Sequence, residues 1–478
     1  LDYHRNTGFG WISELENQMN MSATKGIAEV DKSLDECKRL VVGLGKTGLS
    51  CARFLSRNGH PVAVTDSRDL PPALAELNSE LPNVAVFIGG FRPEIFAAAD
   101  QLIVSPGVSL NEPLLQQAAG RNAEIIGDIE LFAREAAAPI IVITGSNGKS
   151  TVTTLLGVMA QQAGINAVMG GNLGEPALDL LDDRVELYLL ELSSFQLETT
   201  ESLYAVAAVV LNISPDHLDR YCSIEAYAAT KAKIYRGAEI GVINRDDPMV
   251  CAMAGTATEE VGFTLKEPTG SDFGLRQDEQ GIWLSKGEEK LMLTTDMKLP
   301  GSHNHANALA ALALGEAISL PLPGMLEVLR NFAGLPHRTQ FITQRLGVDW
   351  YNDSKGTNTG ATISALYGLD HEGACRTVLI AGGVAKGADF TALRSVVTEI
   401  TKGVVLMGEA TELLEESLAG CAPLYRAETM EEAVKKAAEL TTSGDRVLLS
   451  PACASFDMFD NYQQRGDAFT DAVKRLAP

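Results

Sequence analysis

An α/β protein of three domains is what the sequence predicts, and three observations predict it. The chain has 478 residues, well beyond the roughly 250–300 at which a single hydrophobic core stops growing. Short apolar runs alternate with helical patterns along most of its length, the rhythm of βαβ units around parallel sheets. Several of these runs end in glycine turns, at the place where such a strand passes into its helix.

In the first block RLVVGLG, PVAVTDS, QLIVSPG and AEIIGDIE read as strands, with stretches such as LSCARFLSRNG as the helices between them. The small-residue stretch Arg134 to Ile140 breaks the pattern. The second block carries IIVITG, ELYLLEL and AVVLNIS. Between about Val261 and Leu299 it changes to short alternating pieces such as GIWLSKGEEKLMLTT, which read as antiparallel hairpins. The helical HANALAALALGEAI follows, and the block closes near Gly334 to Arg338. The third block returns to the parallel rhythm with VDWYNDS, RTVLIAGG, GVVLMG, PLYRA and RVLLSPA. The domains expected are therefore 36–138, 139–336 and 337–478. Leu1 to Asn20 has no apolar signal core and Met21 is a candidate start, so residues 1–35 are expected to be a leader or tag-like segment. The two outer domains are expected to be Rossmann-like. The central one is expected to be P-loop ATPase-like, a mostly parallel sheet with a small antiparallel sheet.

Composition narrows the function classes. Hydrophobic residues at 45% and charged residues at 21% are ordinary for a soluble enzyme, and no apolar stretch reaches the ~20 residues of a membrane helix. A net charge of −23 argues against nucleic-acid or anionic-membrane partners. Anionic ligands must then be held locally, by helix N-termini, particular Lys and Arg side chains, or bound cations. Seven scattered cysteines without a CxxC pair suit a reducing cytoplasm.

Two glycine motifs carry the chemistry. Gly43, Gly45 and Gly48 form GxGxxG after a strand, with Asp66 at the end of the next one, a pattern that fits NAD-type cofactors and other diphosphate ligands equally. The stretch TGSNGKST, Thr144 to Thr151, is more telling. It supplies backbone amides, the Lys149 ammonium for phosphates and the Ser150 and Thr151 hydroxyls for Mg2+, although only two residues separate Gly145 from Gly148. Glu191 ends an apolar strand where α/β sheets bind ligands, and a hard carboxylate there suits Mg2+. Asp216, His217 and Asp219 follow another strand as candidate metal ligands or proton carriers. His303 and His305 are two apart, which does not place both on one helix face and excludes a zinc pair. Asn304 and Asn307 sit at that helix start. Asp353, Lys355, Thr357 and Lys386 lie in strand-end turns, where cations and hydroxyls can hold small anions. Cys453 reads as a small buried thiol.

Taken in order, TGSNGKST, ELSSFQLE, DHLDRY, GSHNHAN, LPHR and NDSKGTN resemble the Mur ligase superfamily over nearly the whole chain from about Lys38. GLGKTGLS, AGGVAKGADF and LLSPACASFDMF look most like its D-glutamate-adding members. The resemblance implies a cytoplasmic, monomeric, ATP-dependent amide-forming enzyme of peptidoglycan synthesis, using UDP-N-acetylmuramoyl-L-alanine, D-glutamate, ATP and two Mg2+ ions. It implies that Lys46, Thr47, Asp66, Ser67, Arg68 and Gly107 contact the UDP portion, with Asn172, Ser193 and His217 towards the muramoyl-alanine end. Gly145, Ser146, Asn147, Gly148 and Lys149 would cradle the ATP phosphates. Asn307, Arg338 and Asp353 would face its adenine, phosphate and ribose. Ser150, Thr151, Glu191 and His217 would serve Mg2+, and Lys231, carbamylated, a second ion; Lys233 is the neighbouring candidate. Thr357, Lys386, Ser455 and Tyr462 would surround D-glutamate. Lys149, His217, Lys231 and Lys355 form the implied catalytic set. ATP in the second block and D-glutamate in the third imply closure about a hinge near Gly334 to His337. The alternatives are another Mur-type ligase or a folylpolyglutamate synthase and, more distantly, a nicotinamide-dependent dehydrogenase, which would leave Lys149 idle.

Overall fold

The computed structural model describes residues 38–172, 174–299, 301–369 and 377–476. The leader expected at residues 1–35 lies outside these. Contact density divides the chain into two compact units. The first runs to Val142 and includes Asn166–Ala205; the second contains Ile143–Ile165 and everything from Val206 onward.

The first unit is built on five short strands, β1 (Arg39–Val42), β2 (Val62–Thr65), β3 (Ala85–Phe87), β4 (Gln101–Val104) and β5 (Glu124–Ile126). They form one parallel sheet in the order β3-β2-β1-β4-β5. β1, β2 and β4 are buried throughout or nearly so, as expected of strands covered on both faces. The order reverses between β1 and β4, so the crevice at their carboxyl ends is the favoured ligand position of such a sheet. β6 (Ile140–Thr144) straddles the division between the units. β7 (Ala167–Gly171) and β8 (Leu187–Glu191) pair in parallel within the first unit.

In the second unit β9 (Ala207–Val210), β10 (Ile240–Asn244) and β11 (Glu259–Phe263) are parallel neighbours. The expected hairpins are present as β12 (Phe273–Asp278), β13 (Gly281–Lys286) and β14 (Glu289–Leu293). They join the parallel strands through one pair, Phe263 with Phe273. The C-terminal block has six strands: β15 (Gln340–Arg345), β16 (Val348–Asn352), β17 (Thr377–Gly382), β18 (Thr401–Met407), β19 (Leu424–Arg426) and β20 (Arg446–Leu449). Their order is β15-β16-β20-β17-β18-β19, antiparallel only at β15-β16. Alternate residues serve opposite faces of this sheet, as the two-residue period requires. Leu379, Val404, Leu406 and Leu448 enter one buried cluster, and Val378, Ile380, Val405, Val447 and Leu449 the other. The carboxyl ends of β16, β17 and β20 open into the turns that carry Asp353 to Thr357, Lys386 and Ser455. In the linker expected as a hinge, Gly334 and His337 both hold left-handed backbone, at φ 93° and 61°.

No helix among the described residues is long and apolar enough to cross a membrane.

Candidate active site

The phosphate loop is short because it is tightly curled. Gly145 and Gly148 both take positive φ, 146° and 86°, which costs a glycine nothing. A Cβ on Gly148 would stand 2.4 Å from the Asn307 amide oxygen. The loop is tied to the end of β9, where Asn147 N–H donates to Asn212 Oδ1 at 2.8 Å and Ser146 N–H to the Asn212 carbonyl at 2.9 Å. Lys149 Nζ donates to the Gly145 and Ser146 carbonyls at 2.8 and 3.0 Å. Lys149 also opens the 14-residue helix Lys149–Gln162, whose N-terminal amides and dipole favour an anion.

Beside this loop lies a cavity of about 510 Å³ lined by Asn147, Gly148, Thr151, Asn307, Arg338, Asp353 and Lys355, all of them sequence candidates. Lys298, His303, Phe341 and Tyr351 also line it. Asp353 is buried. It accepts from Thr339 N–H at 3.0 Å and Ser450 Oγ at 2.7 Å, while burial pushes its carboxyl up to about 6. Arg338 donates to Ser150 Oγ.

The adjoining turns bring His217, Thr357 and Lys386 around a small cavity together with Asp216 and Asn358. Lys386 Nζ is 3.6 Å from Asp216 Oδ1, and Asn358 Nδ2 donates to Asp216 Oδ2 at 3.2 Å. Burial draws the His217 imidazole down to about 4, against the pull of Asp216, so the ring is neutral at physiological pH. Ser455 and Tyr462 are not part of this wall. Ser455 follows Ala454, which bridges Val384 just before the Lys386 turn. The Tyr462 ring lies 4.0 Å from Lys355 Nζ, a cation–π distance. Lys231 is 1% exposed; its Nζ donates to Thr144 Oγ1 at 3.2 Å and stands 4.7 Å over the Tyr227 ring. Lys233, by contrast, is only half-buried.

In the first unit a second cavity, of about 570 Å³, gathers Lys46, Thr47, Asp66, Ser67, Arg68, Gly107, Asn172 and Ser193. These are all the UDP-site candidates except His217, which belongs to the second unit. Asp66 enters with both oxygens committed. Leu44 N–H donates to Oδ2 at 2.7 Å, Arg68 N–H to Oδ1 at 2.9 Å, and the Arg68 guanidinium to both at 2.9 and 2.7 Å. Together these donors hold its pKa below the ordinary carboxylate value against the effect of burial. An acid so engaged orients Arg68 and is poorly placed to take a ribose 2′-hydroxyl, the role the dinucleotide fingerprint needs. Glu191 is buried and accepts from Asn172 Nδ2 at 2.7 Å.

Sequence reading missed Tyr227, Asn358, Arg465 and the Asp128–Gln196 pair. Tyr227 was findable, since it lies four residues before Lys231 on the helix Ile224–Ala232 and so shares its face.

His303 offers a pH test. It is half-buried, its Nδ1 is enclosed with no hydrogen-bond partner among the described residues, and desolvation, then His305, draws it down to about 4. The unfolded chain takes up this proton near pH 6.5 and the folded chain near 4, so folding stability is lost as pH falls through that window. Comparing urea midpoints of the native chain and His303→Gln is expected to show the native chain losing ground to the variant between pH 7.5 and 5. An unchanged difference would place His303 in solvent.

A lysine phosphate loop beside one polar cavity, and a glycine-lined cavity at a switch point in another sheet, define an α/β enzyme that uses a nucleoside triphosphate and binds a second phosphate-bearing ligand. Comparison with known proteins is more specific. The family models for the Mur ligase MurD-like N-terminal domain, the Mur ligase middle domain and the Mur ligase glutamate ligase domain match residues 37–127, 143–315 and 337–453, and the chain belongs to the Mur ligase family. It is 53% identical over 438 residues, 91% of this chain and 96% of the other, to UDP-N-acetylmuramoylalanine–D-glutamate ligase of Nitrosococcus oceani. It is 50% identical over 439 residues, 92% and 98% of the two chains, to the protein of that name from Pseudomonas aeruginosa. Among solved structures, UDP-N-acetylmuramate-alanine ligase MurC from Thermotoga maritima aligns with a TM-score of 0.58 at 19% identity, covering 91% of this chain and 99% of that one. MurF from Acinetobacter baumannii aligns at 0.56 and 15%, covering 94% and 93%. At these identities the structural likeness speaks for the fold alone.

Proposed function

We propose that this chain joins D-glutamate to UDP-N-acetylmuramoyl-L-alanine with cleavage of ATP to ADP and phosphate, an amide-forming step of peptidoglycan precursor synthesis. The observation that carries this reading is the 53% identity across 91% of the chain to a ligase named for that reaction. The two larger cavities are consistent with it: one beside the phosphate loop for ATP, one lined by Lys46, Thr47 and Arg68 for the UDP portion.

A carboxylate at neutral pH is a poor electrophile. Transfer of the γ-phosphoryl group to the alanine carboxylate gives an acyl phosphate, with ADP leaving. The free amine of D-glutamate then attacks the acyl carbon, and the tetrahedral intermediate expels phosphate. In this reading Lys149 and the loop amides hold the ATP phosphates, Arg338 and Asp353 its phosphate and ribose, and Asn307 the base. Lys386 and Thr357 hold D-glutamate, with Ser455 and Tyr462 on its flank and Lys355 near the reacting groups. Neutral His217 can accept a proton or ligate a metal. Mg2+, when bound, would neutralise the phosphate oxygens; the hydroxyls of Ser150 and Thr151 on the first turn of their helix are hard donors suited to it. The proposal places the enzyme in the cytoplasm as a monomer.

The test is phosphate release from ATP with UDP-N-acetylmuramoyl-L-alanine, offering D-glutamate, L-glutamate, L-alanine or diaminopimelate. Turnover is expected with D-glutamate alone; turnover with diaminopimelate instead would assign the chain to a sister ligase.

Carbamylation of Lys231 belongs to the same proposal. Its burial against Thr144 and Tyr227 supports it, because CO2 would turn a buried cation into a carboxylate for a second Mg2+. Protein equilibrated with 13C-bicarbonate is expected to show a carbamate resonance absent from Lys231→Arg, and turnover is expected to fall in CO2-free buffer. Neither effect appearing would leave Lys231 an ordinary ammonium.

A further inference from the structure

The helix Ser194–Glu198 begins at the carboxyl end of β8 with a complete capping box. Gln196 N–H donates to Ser193 Oγ at 3.2 Å, and Gln196 Oε1 accepts from Ser193 N–H at 3.1 Å. The Ser193 hydroxyl also donates to Gln196 Oε1, at 3.2 Å. The other end of the Gln196 amide turns inward, where Nε2 donates to Asp128 Oδ2 at 3.1 Å. Asp128 opens the helix Asp128–Glu135 and is 2% exposed, and its Oδ1 has no hydrogen-bond partner among the described residues. Ser193 and Gln196 both line the 570 Å³ cavity; Asp128 does not.

The chemistry of these groups fixes an orientation. An ionised carboxylate only accepts hydrogen bonds, so it claims the NH2 end of the Gln196 amide and turns the carbonyl towards Ser193. The single proton of the Ser193 hydroxyl is then committed to Gln196 Oε1, and one lone pair to Gln196 N–H. What Ser193 can still offer the cavity is an acceptor. With no acceptor behind it, the amide would reverse to find one, its NH2 would face Ser193, and the hydroxyl proton would be released towards the ligand. A buried side-chain amide left unpaired is costly enough to drive that reversal.

We propose that Asp128 is a positioning residue that, through Gln196, makes Ser193 a hydrogen-bond acceptor for an N–H group on the sugar-peptide arm of the UDP-linked substrate. This rests on the assignment of the cavity to that substrate. It goes further by naming the polarity of one contact and the buried group that sets it.

The test is the KM for UDP-N-acetylmuramoyl-L-alanine, measured alongside kcat and the KM for ATP. Asp128→Leu removes the acceptor at similar size and is expected to raise that KM about 10-fold, the effect of one mismatched hydrogen bond, with the other parameters unchanged. Asp128→Asn keeps an acceptor oxygen for Gln196 and is expected to stay within about 2-fold. Gln196→Glu sets two carboxylates face to face, and their repulsion pushes the side chain at 196 away from Asp128 and out of reach of the Ser193 hydroxyl, so it is expected to raise the KM. Adding Asp128→Asn to it restores a donor–acceptor pair and is expected to bring the KM back, so the pair decides the matter even if Asp128→Leu does not fold. An unchanged KM in Asp128→Leu, or a double variant no better than Gln196→Glu, overturns the proposal. Arg68→Ala separates the two levels: if it too leaves the KM unchanged, the cavity assignment fails, whereas a raised KM there with no effect at Asp128 removes this inference alone.

Discussion

Lys149→Ala is expected to lower ADP formation on the order of 10³-fold, the scale of losing one preorganised charge at a phosphoryl-transfer site. The chain carries a net charge of −23, so the field it presents to ATP is unfavourable, and the attraction must be local. In the proposed reading Lys149 provides it from the first turn of a helix whose dipole acts in the same sense. Folding is expected to survive. The side chain donates to the Gly145 and Ser146 carbonyls, and the curl of the loop is held independently by Asn212 and by the two glycines. Lys149→Arg is expected to fail nearly as badly, because a planar fork cannot replace a compact ammonium folded back over two adjacent carbonyls. Melting temperature and ATP affinity measured beside turnover separate the possibilities. Full turnover in Lys149→Ala would remove the phosphate loop from the reaction.

How much of this was legible beforehand varies with the kind of signal. The strands were plain because parallel sheets buried on both faces leave continuous apolar runs, as RTVLIAGG and GVVLMG did for β17 and β18. The eight first-unit candidates came chiefly from the family resemblance; one cavity gathers them, from the turns after β1, β2 and β4 and from those after β7 and β8. The role of Asp66 was not legible. GxGxxG with a downstream acid fits any diphosphate ligand, and only the geometry shows that the acid is spent on Arg68 and the Leu44 amide. Asp128 was hidden as well, since a carboxylate at a helix start normally reads as favourable to the dipole; its burial and its hold on Gln196 depend on tertiary packing. Exchange of partners across long sequence separations, such as Asn358 with Asp216, leaves no local pattern at all.

Arg465 was missed for the opposite reason: its signal was present and runs against expectation. The helix Tyr462–Arg475 buries Arg465, Gly466, Phe469, Ala472 and Val473, so an arginine occupies a place on the apolar face. Its guanidinium fills that place by donating to five acceptors. Nε reaches Ser354 Oγ at 3.0 Å; Nη2 reaches the Ser354 and Cys453 carbonyls at 2.8 and 3.1 Å; Nη1 reaches the Ala454 and Gly382 carbonyls at 3.2 and 3.4 Å. Burial draws its pKa down to about 10, which still leaves it charged at neutral pH. Those acceptors belong to the last residue of β17 and to the turns after β16 and β20, and the segments that follow the three strands carry Lys386, Lys355 with Thr357, and Ser455. One cation therefore sets the spacing of the groups proposed to hold D-glutamate. Arg465→Met, similar in length and apolar, is expected to destabilise the protein by about 3–5 kcal/mol, since it strands several buried carbonyls at once. That is a large part of the roughly 5–15 kcal/mol that holds a domain folded. Arg465→Lys keeps the charge but has three donors on one atom, too few and too close together to span three turns. It is expected to recover part of the stability while the KM for D-glutamate stays raised and that for ATP does not move. Urea midpoints report the first effect and steady-state kinetics the second. If Arg465→Met kept both the native midpoint and the native KM for D-glutamate, sheet packing alone would be positioning these turns, and the buried cation would have no part in the site.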